Sequence, residues 1–273
     1  MSRLIDLKTG WRKTKFNKKL IEKCAENEIS VLMYDCNWND SSCADDDYMM
    51  VQNWCEKYGI YLESTHLCLG DTLDLSLTDT MDKTIEVMKK QIYHAGQAGL
   101  KYAVVHASAE PVAANEREER LKRSADNIAK LSDFASRNDI ILCVEDLPRS
   151  CLCNDIGNIS YILSQDNRLC VCFDTNHLFK CTHEAFISAF GPKIKMTHIS
   201  DYDYINECHS IPGDGKINWH GLKNALEKAD YQGAFLYESD VDRRDGKPEL
   251  PMSAYRKIHM NIANDLPPLY GLE

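Results

Sequence analysis

The chain has 273 residues, and its 42 acidic side chains outnumber its 32 basic ones, giving a net charge of -10 at pH 7. A protein whose main partner is nucleic acid or an anionic membrane needs a basic surface, so this balance argues against both partners. Hydrophobic residues make up 44% of the chain and charged residues 27%, which is typical of a globular protein and excludes a disordered or fibrous one.

The N-terminal segment lacks the apolar core of a signal peptide, and no run approaches the ~18 apolar residues that span a membrane. We therefore expect a cytoplasmic protein. The 12 cysteines are then interpreted as free thiols, because most lie in apolar runs, as Cys68, Cys143, Cys170 and Cys172 do.

Eight short apolar runs follow one another along the chain, and each suits a buried strand. They are residues 3–7, 30–35, 60–67, 102–108, 140–146, 169–177, 194–201 and 234–239. Most are continuous, as in strands buried on both faces of a parallel sheet. The polar segments between them have helical spacing, clearest in two apolar stripes, at positions 81, 85, 88, 92 and 95 and at positions 121, 125, 128, 131 and 135.

This alternation predicts an α/β fold, a (βα)8 TIM barrel that forms a single domain over residues 1–273. A doubly wound open sheet is the alternative. Such a sheet usually carries a GxGxxG motif or a P-loop after a strand, and neither motif is present. No linker rich in Pro, Gly or Ser divides the chain.

Side chains that can bind a metal or move a proton stand at the ends of six successive predicted strands. Active sites of such barrels lie at the carboxyl ends of the strands, and a buried carboxylate or imidazole is costly unless it is paired or coordinates a metal. Each residue alone has an ordinary structural explanation, so the prediction rests on the set. The set is His66, His106, Glu145 with Asp146, Asp174 with His177, His198 with Asp201, and Glu238.

Four of these residues, from strands five to eight, are the predicted ligands of one divalent metal ion. They are Glu145, Asp174, His198 and Glu238. Mixed oxygen and nitrogen ligands favour Mn²⁺, Zn²⁺, Co²⁺ or Mg²⁺ over Cu(I) or an iron–sulfur cluster, and ligand type does not choose among the four.

Seven segments resemble, in their order, the xylose-isomerase-like (βα)8 barrel superfamily, which includes sugar and sugar-phosphate isomerases and epimerases and the metal-dependent AP endonuclease IV. They are STHL, VVHAS, VEDLP, FDTNH, THISDYD, HSIPGDGKINW and YES. The resemblance implies one metal held by the four residues above. It also implies that Glu145 and Glu238 are the acid/base pair and that His177 holds a substrate oxygen.

The expected function is therefore a metal-dependent sugar or sugar-phosphate isomerase or epimerase. Such an enzyme removes a proton from a carbon beside a carbonyl, and the metal stabilises the resulting enediolate. We expect the substrate to be a small molecule bound with the help of His66, His106, His177 and His209. The sequence leaves the oligomeric state open.

The segment after His198 departs from the ketose 3-epimerase pattern, because Asp201 and Asp203 stand there and no arginine does. Anion contacts from Arg149 or from residues 243–244 are possible, and Trp11 and Trp38 are candidates for an apolar wall. The glycines of residues 213–215 suit a tight turn or a close approach to a ligand, and Asn218 is a candidate helix cap.

Two other enzyme classes stay open. An inositol-type dehydratase or lyase would use the same residues. An AP endonuclease resembling endonuclease IV would match His66, His106, Glu145, Asp174, His177, His198 and Glu238. It also needs an aspartate near a histidine after strand seven, where this chain has Glu207, Cys208 and His209.

Overall fold

Eight parallel strands close into one barrel, in which each strand pairs with the next and β8 pairs with β1. The computed structural model describes residues 9–13, 16–35, 45–70, 72–178, 180–239 and 250–269. The strands are β1 (Thr9–Lys13), β2 (Val31–Asp35), β3 (Tyr61–His66), β4 (Tyr102–Val105), β5 (Ile141–Glu145), β6 (Cys170–Asp174), β7 (Ile194–Ile199) and β8 (Phe235–Tyr237). The predicted TIM barrel is confirmed.

A helix follows each strand in the chain and packs outside the barrel. The helices are α1 (Lys18–Glu26), α2 (Asp45–Lys57), α3 (Met81–Gln97), α4 (Arg117–Ser136), α5 (Ile156–Leu163), α6 (His183–Phe190), α7 (Trp219–Lys228) and α8 (Ser253–Ala263). Among the described residues, no helix is long and apolar enough to cross a membrane.

Both predicted helical stripes face the core. In α3 the buried apolar residues are Ile85, Met88, Ile92 and Ala95, and in α4 they are Ala125, Ile128, Leu131 and Ala135. The predicted cap of α7 is also confirmed, since the Asn218 side chain accepts a hydrogen bond from the Gly221 amide at 3.1 Å. These helices cover the outward side of the strands, so apolar side chains fill both the layer around the barrel and its interior.

The first strand lies later in the chain than its apolar run suggested. Residues 3–7, the predicted first strand, lie outside the described residues, and the strand that pairs with β2 and β8 is Thr9–Lys13. Trp11 therefore lies within β1 instead of after it. Apolar content alone did not identify the residues of this strand, because hydrogen-bond pairing with the two neighbouring strands decides them. Trp38 and residues 243–244 also lie outside the described residues.

Candidate active site and metal centre

The site residues stand directly above the apolar interior of the barrel. Alternate side chains of a strand point to the same side, and the barrel interior contains Val104, Cys143, Cys172, Met196 and Leu236. The residue two positions further along each of these segments points toward the same axis, at the carboxyl end of the barrel. These residues are His106, Glu145, Asp174, His198 and Glu238.

Glu145 lies at the centre of the site. Its Oε2 atom is 3.1 Å from Nε2 of His66 and 2.9 Å from Nε2 of His106. Its Oε1 atom is 2.8 Å from Nδ1 of His198. The side chain is only 1% exposed, so both of its oxygens face imidazoles instead of solvent. These contacts define a first group, His66, His106 and Glu145, whose ligand atoms lie within 4.8 Å of one another.

A second group shares Glu145 and contains the four predicted metal ligands, Glu145, Asp174, His198 and Glu238, again with ligand atoms within 4.8 Å of one another. Nδ1 of His198 is close to two carboxylates, at 2.8 Å from Glu145 Oε1 and 2.6 Å from Glu238 Oε2. One ring nitrogen carries at most one proton. Oδ2 of Asp174 is buried without a hydrogen-bond partner. This excess of buried acceptor oxygens is what a divalent cation would balance, so the residues fit a metal.

The protonation of the site also suits a metal. Burial opposes ionisation of Glu145, but the imidazoles of His198 and His106 outweigh it and hold the pKa of this carboxyl well below its usual range. Burial lowers the pKa of His106 to about 4. An ionised carboxylate and a neutral imidazole are the forms that bind metals.

Asp146, which follows Glu145, has a supporting position. Its Oδ1 atom accepts a hydrogen bond from the Asp174 amide at 2.7 Å, and its backbone carbonyl lies 2.8 Å from Nδ1 of His177. Burial raises the pKa of the Asp146 carboxyl well above its ordinary value. Asp146 thereby fixes the chain at Asp174 and the ring of His177.

Cys172 is a site neighbour that the sequence analysis missed. Its sulfur belongs to a group with Glu145 and His198 whose ligand atoms lie within 4.8 Å of one another. Burial raises the pKa of this thiol well above its ordinary value, so the thiol stays protonated. The position could have been found from the strand period, because Cys172 precedes Asp174 by two residues.

His177, Glu207 and His209 form a third group in the loops after β6 and β7. Oε1 of Glu207 is 3.1 Å from Nε2 of His209 and 3.7 Å from Nε2 of His177. Burial lowers the pKa of His177, but nearby carboxylates, first Asp174 and then Glu207, outweigh it and raise this pKa to about 10. Glu207 was not a predicted site residue because an aspartate was expected. The position of Glu207, two residues before His209, is the feature of the sequence that could have identified it.

The loop between β7 and α7, residues 200–218, is organised by Asp201. Its Oδ1 accepts hydrogen bonds from the amides of Tyr202 and Ile217 at 2.9 and 3.1 Å. Its Oδ2 accepts from the Gly213 amide at 2.7 Å and from Nε1 of Trp219 at 3.2 Å. Asp201 therefore shapes the loop that carries Glu207 and His209. Asp203 accepts from two amides of an exposed turn in the same loop.

A cavity of about 240 Å³ opens at this end of the barrel. Its walls include His106, Glu145, His177, Glu207, His209 and Glu238, together with Arg149. His66 is not among the described residues that line it. His66 is buried, at 1% exposure, against Glu145, and the substrate contact expected of it stays a prediction. A space of this size suits a small polar molecule.

Comparison with known proteins gives the family. A model described as xylose isomerase-like TIM barrel matches residues 21–257. The chain belongs to this family. Probable endonuclease 4 of Thermotoga petrophila is 24% identical over 217 residues, which cover 68% of this chain and 72% of that protein.

Several solved structures share the fold. A D-tagatose 3-epimerase-like protein has a TM-score of 0.80 at 19% identity, over 95% of this chain and 99% of its own. D-psicose 3-epimerase, solved in the presence of D-fructose, has a TM-score of 0.78 at 18% identity, over 96% and 100%. The 3-keto-D-glucoside 4-epimerase of E. coli has a TM-score of 0.74 at 16% identity, over 95% and 99%.

Proposed function

We propose that this chain is a metal-dependent enzyme that isomerises or epimerises a sugar or sugar phosphate by proton transfer at a carbon beside a carbonyl. The observation that carries the proposal is the group of Glu145, Asp174, His198 and Glu238, whose ligand atoms lie within 4.8 Å of one another. Both glutamates of this group line the cavity. A divalent ion held by these residues would polarise the carbonyl and stabilise negative charge on the enediolate oxygens.

The two glutamates differ in access to the cavity. The side chain of Glu238 is 15% exposed and that of Glu145 is 1% exposed. We assign removal of the carbon-bound proton to Glu238, since it is the more accessible carboxylate. Glu145 would donate a proton to the opposite face of the substrate, after first taking up a proton from an imidazole that contacts it. Transfer between opposite faces of the substrate inverts a centre, whereas removal and return by Glu238 alone would interconvert an aldose and a ketose.

The histidines of the third group supply polar contacts for the substrate. His177 and His209 both line the cavity, and Glu207 lies between them. We assign these imidazoles to substrate hydroxyl or carbonyl oxygens. The small cavity and the sugar epimerases among the structural neighbours support a sugar substrate, while the absence of an arginine from residues 199–208 separates this chain from the ketose 3-epimerase pattern.

A second candidate function is hydrolysis of a phosphodiester, as implied by the similarity to probable endonuclease 4. The specific observation in its favour is that Glu145 is shared by the first and second groups and that the third group, His177, Glu207 and His209, lies beside them. Three ions would stabilise charge on a phosphoryl group. The net charge of -10 weighs against long-range attraction to DNA.

Counting metal ions and following the product separates these functions. The chain is first loaded with Mn²⁺ or Zn²⁺, dialysed and analysed for bound metal. One sample is then incubated in D₂O with ketoses, aldoses and their phosphates. A second sample is incubated with a DNA duplex that contains an abasic site. We expect one ion per chain and stereospecific deuterium uptake beside the carbonyl. Three ions with strand cleavage would instead establish the hydrolase, and loss of water from a polyol would establish a dehydratase.

The residue assignment is tested with Glu238→Gln, which keeps the size of the side chain and removes the base. We expect its turnover to fall ~10²–10⁴-fold. Because Glu238 is also a proposed ligand, metal content is measured alongside the rate. Glu86→Gln, on the exposed face of α3, is the matched control and should retain full activity. A substrate that turns over in Glu238→Gln at the normal rate, with metal bound, would contradict the assignment.

A further inference from the structure

We propose that Arg149 is a positioning residue that fixes the orientation of Glu207. The two oxygens of Glu207 have separate partners. Oε1 is shared by the imidazoles of His177 and His209, at 3.7 and 3.1 Å, and Oε2 lies 2.5 Å from Nη1 of Arg149. The arginine thus engages the outer oxygen and leaves the inner one to the histidines.

Arg149 is itself held from the other side by Glu110, in the loop between β4 and α4. Nε of Arg149 donates to Oε1 of Glu110 at 2.8 Å, and Nη2 contacts the same oxygen. The Ser150 hydroxyl lies 3.3 Å from the second oxygen of Glu110. The planar guanidinium of an arginine that donates twice to one carboxylate is held in a defined orientation. The flexible ammonium group of a lysine would not be held in this way.

The backbone at Arg149 is also fixed. Its φ of 45° lies in the left-handed region, which is unfavourable for a residue with a side chain and persists where the surroundings impose it. Nδ2 of Asn154 donates to the Arg149 carbonyl at 2.6 Å, and Arg117 donates to the carbonyls of Ser150 and Cys151 at 3.0 and 2.8 Å. The loop thus presents the guanidinium to Glu207 from a rigid base.

Arg149 consequently joins three loops of the cavity rim: its own, the loop of Glu110 and the loop of Glu207. An isolated ion pair on the surface contributes little to stability. Here the partner carboxylate is only 24% exposed and is shared with two cavity histidines. The consequence of losing Arg149 is therefore local: Glu207 can rotate, so that His209 loses its hydrogen-bond partner and His177 loses a nearby carboxylate. This inference concerns how the chain builds the third group and holds for either candidate chemistry.

The test uses the imidazole signals of the metal-free full chain in long-range ¹H–¹⁵N NMR spectra, assigned by single histidine replacements. In Arg149→Gln we expect the signals of His177 and His209 to move while those of His66 and His106 stay. Arg149→Lys should restore them in part. The matched control is Arg168→Gln, since Arg168 is similarly exposed, at 45% against 47%, and like Arg149 pairs with two carboxylates, here those of Asp133 and Asp166. It should leave all four signals unchanged.

A double-variant comparison shows whether Arg149 acts through Glu207. Glu207→Gln alone should move the signals of His177 and His209, and adding Arg149→Gln should then move them no further. Unchanged His177 and His209 signals in Arg149→Gln would overturn the inference, as would equal movement of all four signals, which would indicate general disturbance of the loops. Neither result depends on turnover of any substrate, so failure here is distinct from failure of the proposed function.

Discussion

Glu145 and His198 are 53 positions apart in the chain, yet Oε1 of Glu145 lies 2.8 Å from Nδ1 of His198. Parallel register produces this contact. Glu145 at the end of β5 pairs with Cys172 of β6, and His198 of β7 pairs with Asp174, two residues later in β6. Neighbouring strands thus end at nearly the same height, and their last inward side chains meet at the barrel axis.

We expect the natural chain to bind a divalent metal ion and the double variant Glu145→Gln, Asp174→Asn to bind none. Both changes remove negative charge from a buried site in which Glu145 contacts three imidazoles and Asp174 Oδ2 has no hydrogen-bond partner. Metal analysis after dialysis measures the loss. Asp126→Asn, exposed on α4, is the control and should bind metal normally. Full occupancy in the double variant would show that these residues are not ligands.

Asp201→Asn should destabilise the loop that carries Glu207 and His209. Asp201 accepts four hydrogen bonds through two oxygens, and an amide offers only one oxygen, which leaves buried donors unpaired at about 1–3 kcal/mol each. Denaturant unfolding should report the loss, and hydrogen exchange should quicken at the Gly213 and Ile217 amides. Asp203→Asn, in an exposed turn of the same loop, should change stability by much less.

Gly215→Ala should also destabilise this loop, for a steric reason. A Cβ atom at residue 215 would lie 2.3 Å from Oδ1 of Asp201 and 2.7 Å from the Tyr202 amide nitrogen. The glycine therefore allows close approach to Asp201. In Gly157→Ala, within α5, the nearest atom would be 3.3 Å away, and alanine gains ~0.5–1 kcal/mol in a helix. Thermal unfolding should show a lower Tm for Gly215→Ala than for Gly157→Ala.

The cysteines should react as free thiols once the chain is unfolded. The ten cysteines in the described part of the chain are all free, and only Cys181 and Cys208 among them are not buried. Burial raises the pKa of Cys24, Cys55 and Cys151 to about 12, so these thiols should react slowly in the native state. Titration in denaturant without reductant should approach 12 thiols. A much lower total in fresh protein would show disulfides.

His183 should make stability depend on pH. Burial lowers its pKa below 6.5 in the folded chain, while Nε2 lies 2.8 Å from the Thr175 carbonyl. The unfolded chain therefore binds a proton first, so this contribution is complete above about pH 6.5 and is lost as the pH falls toward the folded pKa. His183→Gln should lose less stability than the natural chain between pH 7 and pH 5 in denaturant unfolding. An equal loss in both would contradict the assignment.

The order of apolar runs and helical stripes was enough to predict the barrel. Local patterns determine which segments form strands and helices, and a parallel sheet with helical crossovers has few ways to close. The polar residues after six runs likewise indicated where a site would form, because strand ends share one face. The first strand was misplaced, since its bounds depend on pairing with β2 and β8 and not on its own composition.

The amino-acid sequence by itself determined the fold class and the identity of the side chains at the strand ends. Tertiary structure decided which of them touch: His66 and His106 both contact Glu145, Glu207 takes a place between His177 and His209, and Cys172 lies beside Glu145. The physical reason is distance along the chain. Residues tens of positions apart meet only through barrel register and loop geometry, and neither is encoded in local spacing.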